Sequence, residues 1–365
     1  MKKTNQVQNL SSARGLAVVG MSGGVDSSLS AALLKEEGYQ VIGLFMKNWE
    51  ETDAQGVCKA SHEYEDVLKT CDHLQIPCYS VNFVEEYREK VFASFLQNLK
   101  AGLTPNPDIL CNREIKFDAF LDKALRLGAD FLATGHYARL DEEKRLLKGL
   151  DPDKDQSYFL HAVKQHSLKK VLFPVGHLLK KEVRNLARKH NLPTAEKKDS
   201  TGICFIGKRD FKPFVSQYLG YKAGDFQTLN GTVVGRHDGA AFYTIGQRKG
   251  MGLGGEGEAW FVVGKDISRN IVFVERGENH PALFSSSLTA SQFTWISEAP
   301  LSFPLRLKAK IRYRQVEQSC TLSSIENGVG TVVFDTPQRA ITPGQSIVFY
   351  EGDLCLGGAI IDQRM

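Results

Sequence analysis

The chain has 365 residues, 42% of them hydrophobic and 24% charged, with a mean hydropathy of −0.25. One ordinary core organises roughly 100–200 residues, so two or three domains are expected, and the composition excludes intrinsic disorder and fibrous repeats. No apolar run approaches the ~18 residues that cross a bilayer and the segment before Leu16 is polar, so the expectation is a chain neither secreted nor embedded in a membrane. Seven cysteines without an even, closely spaced framework fit a reducing compartment, and the cytoplasm is expected. The net charge is only +4, yet between His161 and Lys212 there are 13 Lys/Arg against 4 Asp/Glu, a local net of +9. A surface for a polyanion would produce that asymmetry, and so would a solvated basic helix.

In chain order, the apolar run 16–20 is followed by Ser22-Gly23-Gly24 and then by residues 25–37, where Leu29, Ala32, Leu33 and Glu36 recur at helical spacing. This reads as strand, glycine turn and helix. The alternation continues with strand 41–46, helix 63–74, strand 78–83, helices 85–99 and 113–127, and strand 131–134. Apolar strands separated by helices predict a doubly wound parallel sheet, and such sheets bind ligands beyond the carboxyl ends of their strands. After about Lys212 the texture changes to short β-type runs at 231–235, 259–263, 271–275, 305–313, 330–334 and 346–350, separated by Gly, Pro, Asn and Asp. The predicted fold class is therefore α/β plus all-β: a catalytic domain over 1–212, a small central β-rich domain over 213–280 and a C-terminal β-barrel over 281–365.

Two details of the β half carry expectations of their own. A period of two along 305–314 puts Arg306, Lys308, Lys310, Arg312 and Arg314 on one face and Leu305, Leu307, Ala309, Ile311 and Tyr313 on the other. Five like charges cannot be buried together, so a row of cations facing solvent or a nucleic-acid backbone is expected. The run 250–255 fits G-x-G-x-x-G, but a strand-like segment follows it, so a hairpin loop is expected there and not a dinucleotide site.

Ser22-Gly23-Gly24-Val25-Asp26-Ser27 lies between the first strand and the first helix, where backbone N–H groups and the helix N-terminus converge on one anion-favouring point. Gly23 and Gly24 permit close backbone approach, Ser22 and Ser27 add hydroxyl groups, and Asp26 is placed to hold a divalent cation against phosphates. No lysine follows in the G-x-x-x-x-G-K-[ST] manner, so this is a different class of phosphate loop. A glycine turn before a capped helix would use the same glycines; the clustering of Ser, Gly and Asp favours the anion.

Ser22 to Ser27 resembles the S-G-G-x-D-S motif of the PP-loop ATP pyrophosphatases. The likeness sharpens with Gly43-Leu-Phe-Met-Lys-Asn-Trp, Thr104-Pro-Asn-Pro-Asp-Ile-Leu-Cys-Asn, Ala133-Thr-Gly-His-Tyr, Lys154-Asp-Gln-Ser-Tyr-Phe-Leu, Lys198-Asp-Ser-Thr-Gly-Ile-Cys-Phe-Ile-Gly, Thr244-Ile-Gly-Gln-Arg-Lys-Gly and Thr342-Pro-Gly-Gln-Ser. In this order, from about Gly20 to the C-terminus, the blocks are similar to the family of bacterial tRNA-specific 2-thiouridylases, which replace O2 of the wobble uridine, position 34 of tRNA, by sulfur.

The resemblance implies ATP with Mg2+, the nucleotide held by Gly20, Met21, Ser22, Gly23, Gly24, Val25, Asp26, Ser27, Met46 and Gly135 and the metal by Asp26. It implies that Asn106, Pro107 and Asp108 receive the target base, Asp108 as acid/base partner at the ring, and that His136, Lys154, Asp155, Gln156, Arg312, Tyr313 and Gln345 contact tRNA. Cys111 would be the nucleophile and Cys204 the persulfide carrier, loaded by a sulfur-relay protein or a cysteine desulfurase, with persulfide sulfur as co-substrate. Sulfur insertion does need two thiols, one to carry the sulfur and one to replace it in a disulfide. Lys197, Lys198, Lys208 and Arg209 flank Cys204 and would favour its thiolate; Cys111 follows a turn-forming Thr-Pro-Asn-Pro at an expected loop-to-helix junction.

By residue type alone each cysteine could equally be a small buried hydrophobe, the reading kept for Cys58, Cys71, Cys78, Cys320 and Cys355. The segment before Arg14 departs from the family's short start and has no assigned role. A PP-loop ligase acting on a small metabolite would share Ser22 to Ser27 without needing a cysteine pair. A non-catalytic RNA-binding protein would share the basic β half without needing the loop.

Overall fold

The computed structural model describes residues 14–50, 59–199, 211–220, 222–299 and 302–365. The apolar runs expected to be buried strands pair in parallel: β1 (Leu16–Met21), β2 (Gln40–Lys47), β3 (Cys78–Asn82), β4 (Phe131–Ala133) and, beyond a hairpin of β5 (Ala138–Leu140) and β6 (Leu146–Lys148), β7 (Val171–Leu172). Their order is β3-β2-β1-β4-β7. Both faces are apolar because both are covered. Val18, Leu44 and Leu132 meet the aromatic side of helix α3, formed by Val84–Tyr87, a π-helical segment Arg88–Phe92 and Ala93–Lys100. Ala17, Val19, Phe45 and Ala133 meet α1 (Val25–Glu36), α2 (Lys59–Leu74) and the later helix 180–189.

The next helix, α4, comprises Pro107–Leu110, a π-helical segment Cys111–Ala119 and Phe120–Arg126. It starts six residues before the expected 113. Asn106 caps it by accepting from the Asp108 N–H at 3.1 Å, and Pro107 occupies the first helical position, where its missing N–H costs nothing. Cys111 therefore stands one turn inside the helix, where the π-helical segment begins, and not at a loop junction.

In the β half, β8 (Gly224–Gln227), β9 (Val233–His237), β10 (Trp260–Asp266) and β11 (Ile271–Arg276) form a sheet of order β10-β11-β8-β9 around Phe226, Val262, Val272 and Val274. β9 and β10 lie at opposite edges, so the glycine-rich run 250–255 belongs to a long crossing loop; the expected hairpin is overturned. The loop is fastened by Trp260, whose Nε1 donates to the Gly254 carbonyl at 3.1 Å, and whose ring lies 4.3 Å from the Arg276 guanidinium.

The last six strands, β12 (Phe284–Trp295), β13 (Leu305–Lys310), β14 (Gln318–Glu326), β15 (Val329–Arg339), β16 (Ser346–Glu351) and β17 (Leu354–Arg364), run in the order β12-β15-β14-β13-β16-β17 and close through a β12–β17 pairing. Leu288, Leu307, Ala309, Leu322, Val332, Phe334, Ile347 and Phe349 fill the interior. β6 pairs with β17 at Leu147 and Leu354, so the β5–β6 hairpin of the α/β half extends the barrel's sheet.

The row of five cations does not form. The alternation holds through β13, but the strand ends at Lys310 and the chain turns, with Arg314 at φ +67°. Arg306 pairs with Asp335, and Lys310 is largely enclosed between Asp155 at 3.3 Å and Glu317 at 3.8 Å. Arg312 turns inward and donates to the carbonyls of Ile245 and Ala340 and to the Thr342 hydroxyl. Among the described residues, Lys308 and Arg314 are the exposed members of the set without a carboxylate partner.

Candidate active site

β1 delivers its last residues, Gly20 and Met21, to a tight turn at the head of α1. Gly24 caps the helix in extended conformation, and Gly23 takes φ +71° with the Glu63 carbonyl 2.7 Å from where a Cβ would stand. A side chain at position 23 would therefore be both strained and obstructed. The two serines organise the turn: the Ser22 N–H donates to Ser27 Oγ at 3.2 Å, the hydroxyls lie 3.2 Å apart, and Ser27 Oγ donates to the Gly24 carbonyl at 3.1 Å. Gly135, just beyond β4, presses on the same turn, where a Cβ would come within 2.7 Å of the Ser27 nitrogen. Val25 is buried beneath the turn, and Met46, near the end of the neighbouring strand β2, is half-buried.

The charges around this loop come largely from distant residues. The Asp26 carboxylate accepts from the Tyr137 hydroxyl at 2.7 Å and from Lys180 Nζ at 2.6 and 2.9 Å. Burial, then the Asp26 charge, push the Tyr137 phenol upward, so it remains a donor. Lys180 opens helix α5 (Lys180–Lys189) and also meets Asp199 at 3.0 Å. Asp199 collects Lys154 at 2.7 Å and Arg184 at 2.7 Å as well. Burial raises its pKa, but the Lys154 and Lys180 contacts outweigh that and hold the carboxyl at about 2. Lys197 reaches the Gly23 carbonyl at 2.9 Å and Asp66 at 2.7 Å, tying α2 to the loop.

Sequence reasoning missed Lys180, Arg184 and Asp199 as parts of the site and assigned Lys197 to Cys204 and not to the loop. Their signal was the net +9 segment, read there as an external surface; Lys180 and Lys197 of that segment instead touch the phosphate loop, and Arg184 joins them through Asp199.

The residues expected at the base and the tRNA fall into a second group next to the first. The Tyr137 N–H donates to Gln156 Oε1 at 2.9 Å, which links the loop's Asp26, through Tyr137, to the 154–159 turn. At the end of that turn the Phe159 carbonyl accepts from Asn112 of α4 at 3.0 Å, and the Phe159 ring lies 4.4 Å from that of Tyr313. Gln345 Nε2 donates to the Thr104 carbonyl at 2.6 Å, fixing the segment before Asn106 to the barrel. Asp108 and Cys111 are three residues apart on the first turns of α4, Asp108 half-buried and Cys111 fully buried. His136 bonds Thr134 at 2.8 Å and packs on Phe117 and Phe173; burial, then the Lys116 charge, drive its pKa well down, so the ring is neutral.

Two expected tRNA contacts do not face outward. Asp155 is buried, accepting from the Gly149 and Ser157 N–H groups at 3.0 Å and from Ser157 Oγ at 3.0 Å, with Lys310 at 3.3 Å. Arg312 is fastened to backbone oxygens as described. Asp155 braces the turn against the barrel, and Arg312 braces the barrel against Ile245 of the central β region. Cys204, with Lys208 and Arg209, lies outside the described residues, as does Cys58.

Comparison with known proteins adds three family models: residues 16–208 match the tRNA methyl transferase HUP domain, 212–276 the tRNA methyl transferase PRC-barrel domain and 285–361 the aminomethyltransferase beta-barrel domain. Across almost the whole chain it is similar to tRNA-specific 2-thiouridylases: 63% identical to that of Protochlamydia amoebophila, covering 95% of this chain and 93% of the relative. The figures are 57%, 94% and 94% for Halalkalibacterium halodurans, and 56%, 95% and 94% for Geobacillus kaustophilus. The word methyl transferase belongs to the descriptions of single domains; the relatives that match end to end are thiouridylases. A metabolite ligase or a non-catalytic RNA-binding protein is not favoured.

Proposed function

The chain belongs to the tRNA-specific 2-thiouridylase family, and on that premise we propose how its residues do the work. The protein is an ATP-dependent sulfurtransferase acting on tRNA uridine. The observation that carries the assignment of residues is one hydrogen-bonded path, from Asp26 through Tyr137 and Gln156 to the 154–159 turn and on to Asn112, which ties the phosphate loop to the start of α4.

Gly20 to Ser27 receive the phosphates of ATP on the N-terminus of α1, with Met46 and Gly135 beside the nucleotide. Asp26 already holds a positive charge on both carboxylate oxygens, the Lys180 ammonium, so the place suits a cation. Mg2+ bound there would neutralise phosphate charge; Asp26 is the residue that would hold it. The wobble uridine is flipped toward Asn106, Pro107 and Asp108, since a stacked base hides C2. Its O2 attacks the α-phosphorus of ATP and pyrophosphate leaves, which turns a poor oxygen leaving group into AMP.

The terminal sulfur of a Cys204 persulfide then bonds to C2 and AMP departs. The Cys111 thiolate attacks Cys204 Sγ, the persulfide S–S bond breaks, and its electrons stay on the sulfur now bound to C2. The product is 2-thiouridine with a Cys111–Cys204 disulfide, which a thiol reductant reopens before a desulfurase or relay protein reloads Cys204. His136, Lys154, Gln156, Tyr313 and Gln345 line the approach of the anticodon, and Asp155 and Arg312 hold that lining in place.

The division into 1–212, 213–280 and 281–365 is part of the proposal, as is a cytoplasmic location alongside tRNA; no helix among the described residues is long and apolar enough to cross a membrane. The test is radiolabelled ATP with bulk tRNA and a persulfide donor. Pyrophosphate and AMP released only when tRNA is present are expected; ADP and orthophosphate from a clean preparation would overturn the reading.

A further inference from the structure

A nucleotide's β- and γ-phosphates need a cation from the protein, and phosphate loops of the G-x-x-x-x-G-K-[ST] kind supply it from their own lysine. This loop has none. Its serines are also partly spent on each other and on the turn's own backbone. Any protein cation that meets the phosphates beside the metal must therefore come from elsewhere in the chain.

Among the described residues, four cations gather around the loop. Lys197 is tied to the Gly23 carbonyl and Asp66. Arg184 is fastened by the Ala195 carbonyl at 2.6 Å and by Asp199. Lys154 pairs with Asp199. Lys180 is the one that touches the loop's own carboxylate, 154 residues away in sequence, and it does so on both oxygens.

We propose that Lys180 is the phosphate-binding cation of this site, standing in for the absent loop lysine and meeting the β- and γ-phosphates of ATP, hence the pyrophosphate that leaves. The inference rests on reading Ser22 to Ser27 as the nucleotide site.

The position suits the role in three ways. The backbone of Lys180 is anchored, since its N–H donates to Asp151 at 2.8 Å at the start of α5, while its ammonium rides on a flexible four-carbon stem that can move from one oxygen acceptor to another. Its side chain is only 15% exposed, so its charge is poorly screened and acts strongly on whatever enters. The Tyr137 ring 5.4 Å from Nζ gives the ammonium an aromatic wall on the side of Asp26. Without nucleotide the two carboxylates share this charge; a triphosphate competes for it with more negative charge than either carboxylate brings.

The experiment compares ligands that differ only in the phosphates concerned. Binding of Mg-ATP, AMP and Mg-pyrophosphate to the full chain is measured by calorimetry for wild type, Lys180→Met and Lys180→Arg, with thermal unfolding run alongside. Lys180→Met is expected to weaken Mg-ATP and Mg-pyrophosphate at least tenfold and AMP less than twofold, and Lys180→Arg to recover most of the loss. An equal loss for AMP and ATP, undiminished ATP binding, or an arginine variant as weak as the methionine one would overturn the assignment. Wild-type protein that binds Mg-ATP no better than AMP would overturn the reading of the loop as well. Wild-type protein that prefers ATP but releases no pyrophosphate with tRNA would refute the thiolation chemistry and leave Lys180 where it is placed.

Discussion

Cations gather at two places in this molecule, and they are used in opposite ways. Around the phosphate loop, Lys154, Lys180, Arg184 and Lys197 come from different elements and converge on Asp26, Asp66 and Asp199. Along β13 and the turn after it, Arg306, Lys310 and Arg312 come from one short run and disperse, each to a different partner. Spacing in sequence is therefore a poor guide to what a cation does. The partner decides: a carboxylate beside an anion site makes an exchangeable charge, and a buried carboxylate or carbonyl makes a brace.

The sharpest break of that contrast is at Asp26. Asp26→Ala is expected to lower tRNA-dependent pyrophosphate release at least a hundredfold while tRNA affinity stays within a few-fold, measured by product release and filter binding. The thiols should divide the reaction between them: Cys204→Ser is expected to accept no labelled sulfur from a desulfurase, and Cys111→Ser to accept it but fail to thiolate tRNA. Thiolation at the wild-type rate by Cys204→Ser would remove Cys204 as carrier.

The bracing side of the comparison predicts lower stability. Asp155→Ala leaves two N–H groups, a hydroxyl and the largely enclosed Lys310 without their acceptor, so unfolding in urea should show a loss of about 3 kcal/mol. Asp199 offers a test by pH. Its carboxyl is depressed to about 2 in the folded chain against about 3.9 unfolded, so its contribution is complete above about pH 4 and drains as pH falls toward 2. Asp199→Asn should flatten the stability profile in that window and lower it by a constant amount above about pH 5, where the carboxylate's contribution is fully present.

Smaller still are the exposed cations. Lys308→Ala with Arg314→Ala should reduce the log–log salt slope of tRNA binding by about 0.7–0.9 for each phosphate that is no longer neutralised. Arg306→Ala, whose charge is already matched by Asp335, should leave the slope unchanged; a drop as large as that of the pair would return Arg306 to the expected row.

Much of this was legible because local rules suffice for it. The run from Leu16 to Asp26 specifies strand, turn and helix from apolar residues, two glycines and a cap, all within a dozen positions, and the structure follows it closely. The barrel's alternation was equally readable where both faces obey period two, as at Leu307 and Ala309. The start of α4 was misplaced because Thr-Pro-Asn-Pro signals a turn, whereas Pro107 is also well suited to a first helical position. The role of Lys180 was invisible because it depends on a meeting with Asp26 that only the folded chain creates, and that of Asp199 because it depends on gathering Lys154, Lys180 and Arg184. Asp155 was assigned to tRNA by the resemblance alone, and nothing in a sequence says that a carboxylate in a polar turn will be sealed under a strand end by Lys310.

The hairpin that carries β6 into the barrel's sheet has a consequence for anyone who would take the protein apart. β6 meets β17 at Leu147 and Leu354, the Lys148 N–H donates to the Asp353 carbonyl at 3.0 Å, and Arg139 reaches the Asp353 carboxylate at 2.8 Å. Behind them Tyr158 donates to the Ser346 carbonyl at 2.8 Å and His161 lies 3.1 Å from the Ser346 hydroxyl, both fully enclosed. A cut in the chain ahead of residue 281 would thus not follow a seam: the severed barrel would bare a strand edge and two orphaned polar sockets, a surface prone to clump. The two ends are separable on paper and welded in space, so they are expected to fold as one piece.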